Sequence, residues 1–203
     1  MDNKRLQKQM EFCRLIDAQK LIGRQTYLAD ASRKENDAEH AWHMAVMTLL
    51  LSEYSNEEID VLKTVSMLLI HDLVEIYAGD TYAYDEEAKK TQKDRELAAA
   101  DCLFGVLPKD QEDKLRGLWE EFEAAESAEA KFARTMDNIQ PLMLNCASDG
   151  RSWEEKQVKL SQILGRNERT KDGSEELWGF AYNHFIRPHV DKGHIKEDVK
   201  YQA

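Results

Sequence analysis

The chain has 203 residues, 42% of them hydrophobic, and a formal net charge of −11. That length suits one domain, residues 1–203, with a sizeable core. The acidic balance argues against a nucleic-acid polymer as partner, since polyanion binding runs on clustered Lys and Arg, and no apolar stretch approaches the roughly 20 residues that a membrane span needs.

The texture is helical almost throughout, interrupted by three prolines and nine glycines, and no stretch reads as a strand of period two. An all-α fold is expected. Leu6, Met10, Cys13 and Ile16 recur at helical spacing and predict a first helix. Arg24 to Asn36 reads as a loop. Asp37 is a candidate cap for a second helix running to about Tyr54, with His40, Met44, Met47 and Leu51 on one stripe. Ser55-Asn-Glu-Glu58 has the form of a capping box for a third helix, ending near Ala78-Gly79, where glycine suits a left-handed cap. Asp80 to Thr91 is polar and reads as a loop. Further helices are expected over Arg95–Val106, Gln111–Glu126 and Ala128–Asn145. Ser152-Trp-Glu-Glu155 is a second candidate box, opening a helix to Leu164, and a last helix over Ser174–Ile186 should stop at Arg187-Pro188. Cys13, Cys102 and Cys146 are odd in number and lack CxxC spacing, so they read as reduced core residues. The opening nine residues carry no apolar signal region, which points to the cytoplasm.

The third predicted helix carries the most informative feature. The apolar run Met67-Leu-Leu-Ile70 meets His71-Asp72, with Glu75 one turn later and Asp80 just past Gly79. Burying ionised groups costs several kcal/mol unless something pairs with them. Imidazole and carboxylate together suit a divalent transition metal. Glu75 shares a helix face with His71 and Asp72. Upstream stands Arg33-Lys-Glu-Asn-Asp-Ala-Glu-His40; downstream stands Met136-Asp137, four residues before Pro141, where the helix should bend.

His, then His-Asp, then a distant Asp, each on a helix, resembles the HD-domain metal-dependent phosphohydrolases. Leu21-Ile-Gly-Arg24, Arg33-x-Glu-Asn-x-x-Glu-His40 and His71-Asp-x-x-Glu75-x-x-x-Gly-Asp80 are more similar still to the bacterial 5'-deoxynucleotidases and their relatives. The motif-bearing core covers about residues 24–145, with a helical C-terminal part over 152–190. The resemblance implies one divalent metal on His40, His71, Asp72 and Asp137, with Mn, Co, Fe, Ni, Zn and Mg all open. It gives Glu75 and Asp80 catalytic roles and Arg24 a contact to the substrate phosphate. Arg33 is a candidate for the same anion or for pairing Glu35 or Glu39. His43, one turn from His40, is read as a neighbour more than a ligand. His184, His189 and His194 have no partner spacing.

The expected activity is hydrolysis of a phosphomonoester, with a (deoxy)nucleoside 5'-monophosphate as small-molecule substrate. The resemblance also implies a homodimer. Two alternatives stay open: another phosphorylated metabolite, or a nucleotide cleaved elsewhere than at a monoester, as substrate; and a non-catalytic helical module that binds a nucleotide or a partner and keeps the metal for structure. One departure matters. The bacterial deoxynucleotidases place tryptophan directly after the loop arginine, where it helps exclude ribose; here Gln25 follows Arg24.

Overall fold

The computed structural model describes residues 3–79 and 86–201, and helices dominate it. Helix α1 (Lys4–Leu15) buries Phe12, and a 3-10 turn over Ile16–Leu21 leads into a hairpin. Strands β1 (Gly23–Tyr27) and β2 (Lys34–Asn36) pair antiparallel, Gly23 opposite Asn36 and Tyr27 opposite Lys34. The loop expected here is therefore a small sheet. Its strands lack apolar alternation because a polar residue, Glu35, turns inward, where Gln140 Nε2 donates to it at 2.9 Å.

Asn36, rather than Asp37, caps α2 (Asp37–Leu51). Its side chain accepts from the Glu39 N–H while Glu39 returns to the Asn36 N–H, a reciprocal box. Asp37 then falls in the first helical turn, fully buried. Helix α3 (Val61–Ile70) is capped by Asp60, not Ser55. The segment before it is committed elsewhere. Asn56 donates to the Lys171 carbonyl at 2.8 Å and accepts from the Glu175 N–H at 2.9 Å.

The chain does not continue as one helix to Ala78. A 3-10 turn over His71–Val74 intervenes before α4 (Glu75–Ala78). Gly79 closes it at φ 75° and ψ 149°, a positive φ but an extended rather than left-handed helical ψ. Asp80 lies outside the described residues, and α5 (Glu86–Phe104) begins well before Arg95. Helix α6 (Lys109–Ala124) follows Pro108, and α7 (Ala128–Ala147) starts on a Ser127 cap and runs through Pro141.

The expected box at Ser152 is not used. Gly150 precedes α8 (Arg151–Glu155), Ser152 is buried inside it, and the chain stops there to bridge residues 159 and 196 before α9 (Leu160–Arg166). Helices α10 (Thr170–Gly173) and α11 (Glu175–Ala181) lead to a π turn over Tyr182–Ile186 and α12 (Arg187–Asp191). Pro188 sits in the first turn of α12, where its missing N–H leaves no helical bond unmade. It opens a helix rather than ending one. Cys13 and Cys102 are exposed, not core, and all three cysteines are free.

Helix α7 is the axis of the molecule and packs against α2, α3, α6, α10 and α11. Phe132 and Met136 are fully buried on it, together with Met44, Met67 and Leu68 from α2 and α3. Each such burial stabilises by roughly 1.5–3 kcal/mol. A second cluster joins Phe12 to Leu73, Leu103, Phe104 and Trp119. The two clusters grip α3 and the 71–74 turn from either side.

Contact between α10 and α7 is unusually close. A Cβ on Gly173 would stand 2.4 Å from the Lys131 carbonyl oxygen and 2.5 Å from Thr135 Oγ1. Gly173→Ala is therefore expected to destabilise by about 1–3 kcal/mol through overpacking. Each kcal/mol corresponds to about 2–4 °C in Tm for a chain of this size. Thermal unfolding followed by circular dichroism checks it; an unchanged Tm would mean the two helices separate freely.

Candidate active site

The site forms where α2, the 71–74 turn and α7 converge under the hairpin. His40 comes from α2, His71 and Asp72 from the turn, Glu75 from the start of α4, and Asp137 from α7. His40 is fully buried, His71, Asp137 and Glu75 nearly so. His40, His71 and Asp72 offer ligand atoms within 4.8 Å of one another, and Asp37, Asp72 and Glu75 do the same. Asp72 belongs to both groups.

The hydrogen bonds fix how each imidazole is used. His40 Nδ1 faces Gln140 Oε1 at 2.9 Å, and His71 Nδ1 faces the Leu68 carbonyl at 2.9 Å. Both partners accept, so in each ring Nδ1 carries the proton and Nε2 the lone pair. The Nε2 atoms then point at carboxylates. His40 Nε2 lies 3.1 Å from Asp137 Oδ1; His71 Nε2 lies 3.0 Å from Asp72 Oδ1 and 3.8 Å from Asp137 Oδ1. His71 Nε2 makes no well-formed hydrogen bond despite this proximity and is buried. Carboxylates facing the Nε2 atoms in a buried space call for a cation between them, either a proton on the imidazole or a metal ion. The donor set, two imidazoles and two carboxylates with their outer nitrogens tied to carbonyl oxygens, fits a divalent metal ion.

The titration behaviour has the same cause. Burial alone would lower the His71 pKa, but Asp72 and Asp137 outweigh it and push it up to about 10. His40 is raised as well: burial and Arg24 oppose this, and Asp137 and Glu35 prevail. Burial would raise Asp137, yet His40, His71 and Arg166 hold it well below the usual carboxylate range. Asp72 is likewise held down against burial, by His71 and Arg24.

Arg24 reaches the cluster from β1. Its Nη1 donates to Asp72 Oδ2 at 2.8 Å and to Asp37 Oδ1 at 3.2 Å, and its Nε lies 3.6 Å from Glu35 Oε1. It lines the cleft together with Asp72, Glu75 and Asp137. Arg33 does not. It is exposed and donates to Glu39 Oε2 at 2.8 Å, away from the cleft-lining residues. His43 stands beside the cluster, 3.2 Å from Gln140 Nε2.

The structure also brings in residues that the sequence reading passed over. Asp37 is driven up to about 6 by burial and the nearby Asp72, with Arg24 and a hydrogen bond to Glu75 opposing. Its signal was available: it precedes His40 by three positions on one helix, hence on the same face. Gln140 stands three positions after Asp137 for the same reason. Arg166 donates to Asp137 Oδ2 at 3.2 Å from α9, a contact no sequence spacing announces.

Above the cluster opens a cleft of about 200 Å³, walled by Trp119, Phe122 and Trp153, with Arg134 and Arg166 on one side. Gln25 lines it too, its Oε1 accepting from Lys34 at 2.7 Å. Aromatic walls and three arginines, Arg24, Arg134 and Arg166, suit a planar group joined to an anion, provided a metal ion offsets Asp72, Glu75 and Asp137.

Comparison with known proteins places this arrangement. The HD domain family model matches residues 16–178. The 5'-deoxynucleotidase HDDC2 of Bos taurus is 30% identical over 155 residues, 76% of this chain and 73% of the relative. The 5'-deoxynucleotidase HDDC2 of Homo sapiens is also 30% identical, over 76% of this chain and 74% of its own length. The crystal structure of a predicted metal-dependent phosphohydrolase from Magnetospirillum magnetotacticum MS-1 superposes with a TM-score of 0.90 at 42% identity, covering 95% of this chain and 96% of the other. A His/His-Asp/Asp cluster at the floor of a cleft, on a fold shared over nearly its whole length with such a protein, leaves one conclusion: this chain belongs to the HD domain family and is a phosphohydrolase.

Proposed function

We propose that the enzyme hydrolyses nucleoside 5'-monophosphates, deoxy form first, to nucleoside and phosphate, with one divalent metal held by His40, His71, Asp72 and Asp137. The observation that carries this reading is the pair of imidazole Nε2 atoms aimed at buried carboxylates beneath an aromatic-walled cleft lined by Arg24, Arg134 and Arg166. Mn, Co, Fe, Ni and Zn suit the donors, and Mg is compatible with them. Bound there, such an ion polarises a phosphoryl oxygen and lowers the pKa of water.

The chain's own residues do the rest. Arg24 orients Asp72 through its guanidinium and adds positive charge where the phosphate enters. Arg134 and Arg166 extend that charge along the cleft. Glu75 lies beside Asp72 without belonging to the proposed ligands, placed to take a proton from the attacking water and return it to the leaving 5'-oxygen. Asp80, which positions water in this reading, follows directly after Gly79. A nucleotide substrate also fits a cytoplasmic site of action.

Phosphate release from a panel of phosphomonoesters, each with a series of divalent metals, tests the reading. Deoxynucleoside 5'-monophosphates should exceed the 3'-isomers and simple sugar phosphates. Discrimination against ribonucleotides should be weak, because Gln25 stands where the bacterial relatives carry tryptophan. Equal rates on every monoester, or none on nucleotides, would move the substrate to another phosphorylated metabolite.

A homodimer accompanies this reading. Trp42, Leu49 and Leu50 expose 64%, 62% and 68% of their surface on α2, and Leu62 exposes 76% on the adjacent α3. An apolar stripe of this kind marks an association surface. Leu50→Glu is expected to yield monomers by light scattering without loss of helicity; an unchanged mass would place the interface elsewhere.

A further inference from the structure

A second cluster of ligand-type side chains shares no residue with the active site. Asp149 ends the turn after α7, His189 lies on α12, and His194 follows α12 by three residues. Their ligand atoms lie within 4.8 Å of one another, with His189 buried, His194 half-buried and Asp149 exposed. His189 Nδ1 and His194 Nδ1 share a hydrogen bond at 2.9 Å, a proton bridging two nitrogens that a metal ion would bridge in its place. Two imidazole nitrogens on one transition ion, each at about 2.0–2.1 Å, stand roughly 2.9–3.4 Å apart for bond angles between octahedral and tetrahedral. The observed spacing falls in that range.

Local backbone keeps the space in front of these nitrogens open. Gly150, at φ 74°, is the residue they face, and a Cβ there would come within 2.7 Å of His189 Nδ1 and 2.8 Å of His194 Nδ1. The His194 and Ile195 N–H groups both donate to the His189 carbonyl, at 3.0 and 3.2 Å, which fixes the second ring against the first. Lys192 Nζ pairs with Asp149 Oδ1 at 2.9 Å on a side chain 54% exposed, a contact that a bound ion would displace.

We propose that Asp149, His189 and His194 form a second site for a divalent transition ion of the zinc class. The imidazole pair selects such ions over Ca and Mg, and the exposed side leaves a position for water. The ion ties the segment after α12 to the turn between α7 and α8. That turn leads into Trp153, which contacts His189 with ring centroids 5.3 Å apart and walls the cleft. The site is structural, and it steadies a cleft wall from behind.

The test is metal content. Full-length protein is stripped with a chelator, reloaded with Zn²⁺, dialysed and assayed by mass spectrometry, beside His194→Ala prepared identically. The parent is expected to hold one equivalent more than the variant. The difference is what matters, so the result does not depend on the active-site assignment: were that cluster metal-free, the parent would hold one equivalent and the variant none. Equal content in parent and variant overturns the proposal. Asp149→Asn guards against misfolding of the histidine variant, because its side chain is 76% exposed. It should weaken Zn²⁺ at this site at least about tenfold in competition with a chromophoric chelator, the lower end of what an outer-shell partner contributes. Unchanged affinity would likewise overturn it.

Discussion

Glu75→Ala is expected to lower turnover by about 10²–10⁴ while the metal stays bound. Glu75 is buried, lines the cleft and groups with Asp72 and Asp37, yet the two imidazole lone pairs point at Asp72 and Asp137 instead. A proton-transfer group and a ligand therefore separate cleanly in one experiment. Metal content and phosphate release are measured on the same preparation. If Glu75→Ala loses metal, Glu75 is a ligand; if it keeps both metal and full rate, it is a bystander at a helix start.

His71→Ala should abolish both. It removes one imidazole and leaves Asp72 and Asp137 facing each other in a buried space with Arg24 and Arg166 as their remaining cationic partners. Loss of an outer-shell partner alone weakens metal affinity 10–100-fold, so loss of an inner ligand should bring occupancy below detection after dialysis. Phe122, whose ring centroid lies 4.7 Å from that of His71, loses a packing partner too, and a lower Tm is expected. Far-ultraviolet circular dichroism confirms that the helices survive. A variant that retains a full equivalent of metal at the cluster would overturn the ligand assignment.

The parts of this molecule that sequence makes visible are those where polarity contradicts its surroundings. His71 and Asp72 stand out because an apolar run abuts them, and His40 because it falls on a stripe of methionines and leucine. Glu35 does not stand out. In Glu35-Asn-Asp-Ala-Glu39 every second residue is acidic, and only Asp37 has a local mark, its place three positions before His40; burial beside Arg24 and Gln140 decides that Glu35 turns inward. The hairpin is hidden for the same reason, since its inward residues are polar. Ser55 and Ser152 match the capping pattern but lose to long-range contacts, Asn56 with the start of α11 and the 159–196 bridge. Pro188 misleads because a proline that ends one helix is equally suited to begin the next.

The hairpin carries a consequence for how such enzymes diverge. Gln25 stands on β1, whereas the metal-facing side chains stand on α2, the 71–74 turn and α7. Arg24, its neighbour in sequence, and Glu35 on β2 cross between the two sets. A lineage can therefore exchange the strand residue lining the cleft and inherit the cluster below it intact. Cleft lining and metal-facing cluster thus stand on separate pieces of backbone, joined at Arg24 and Glu35.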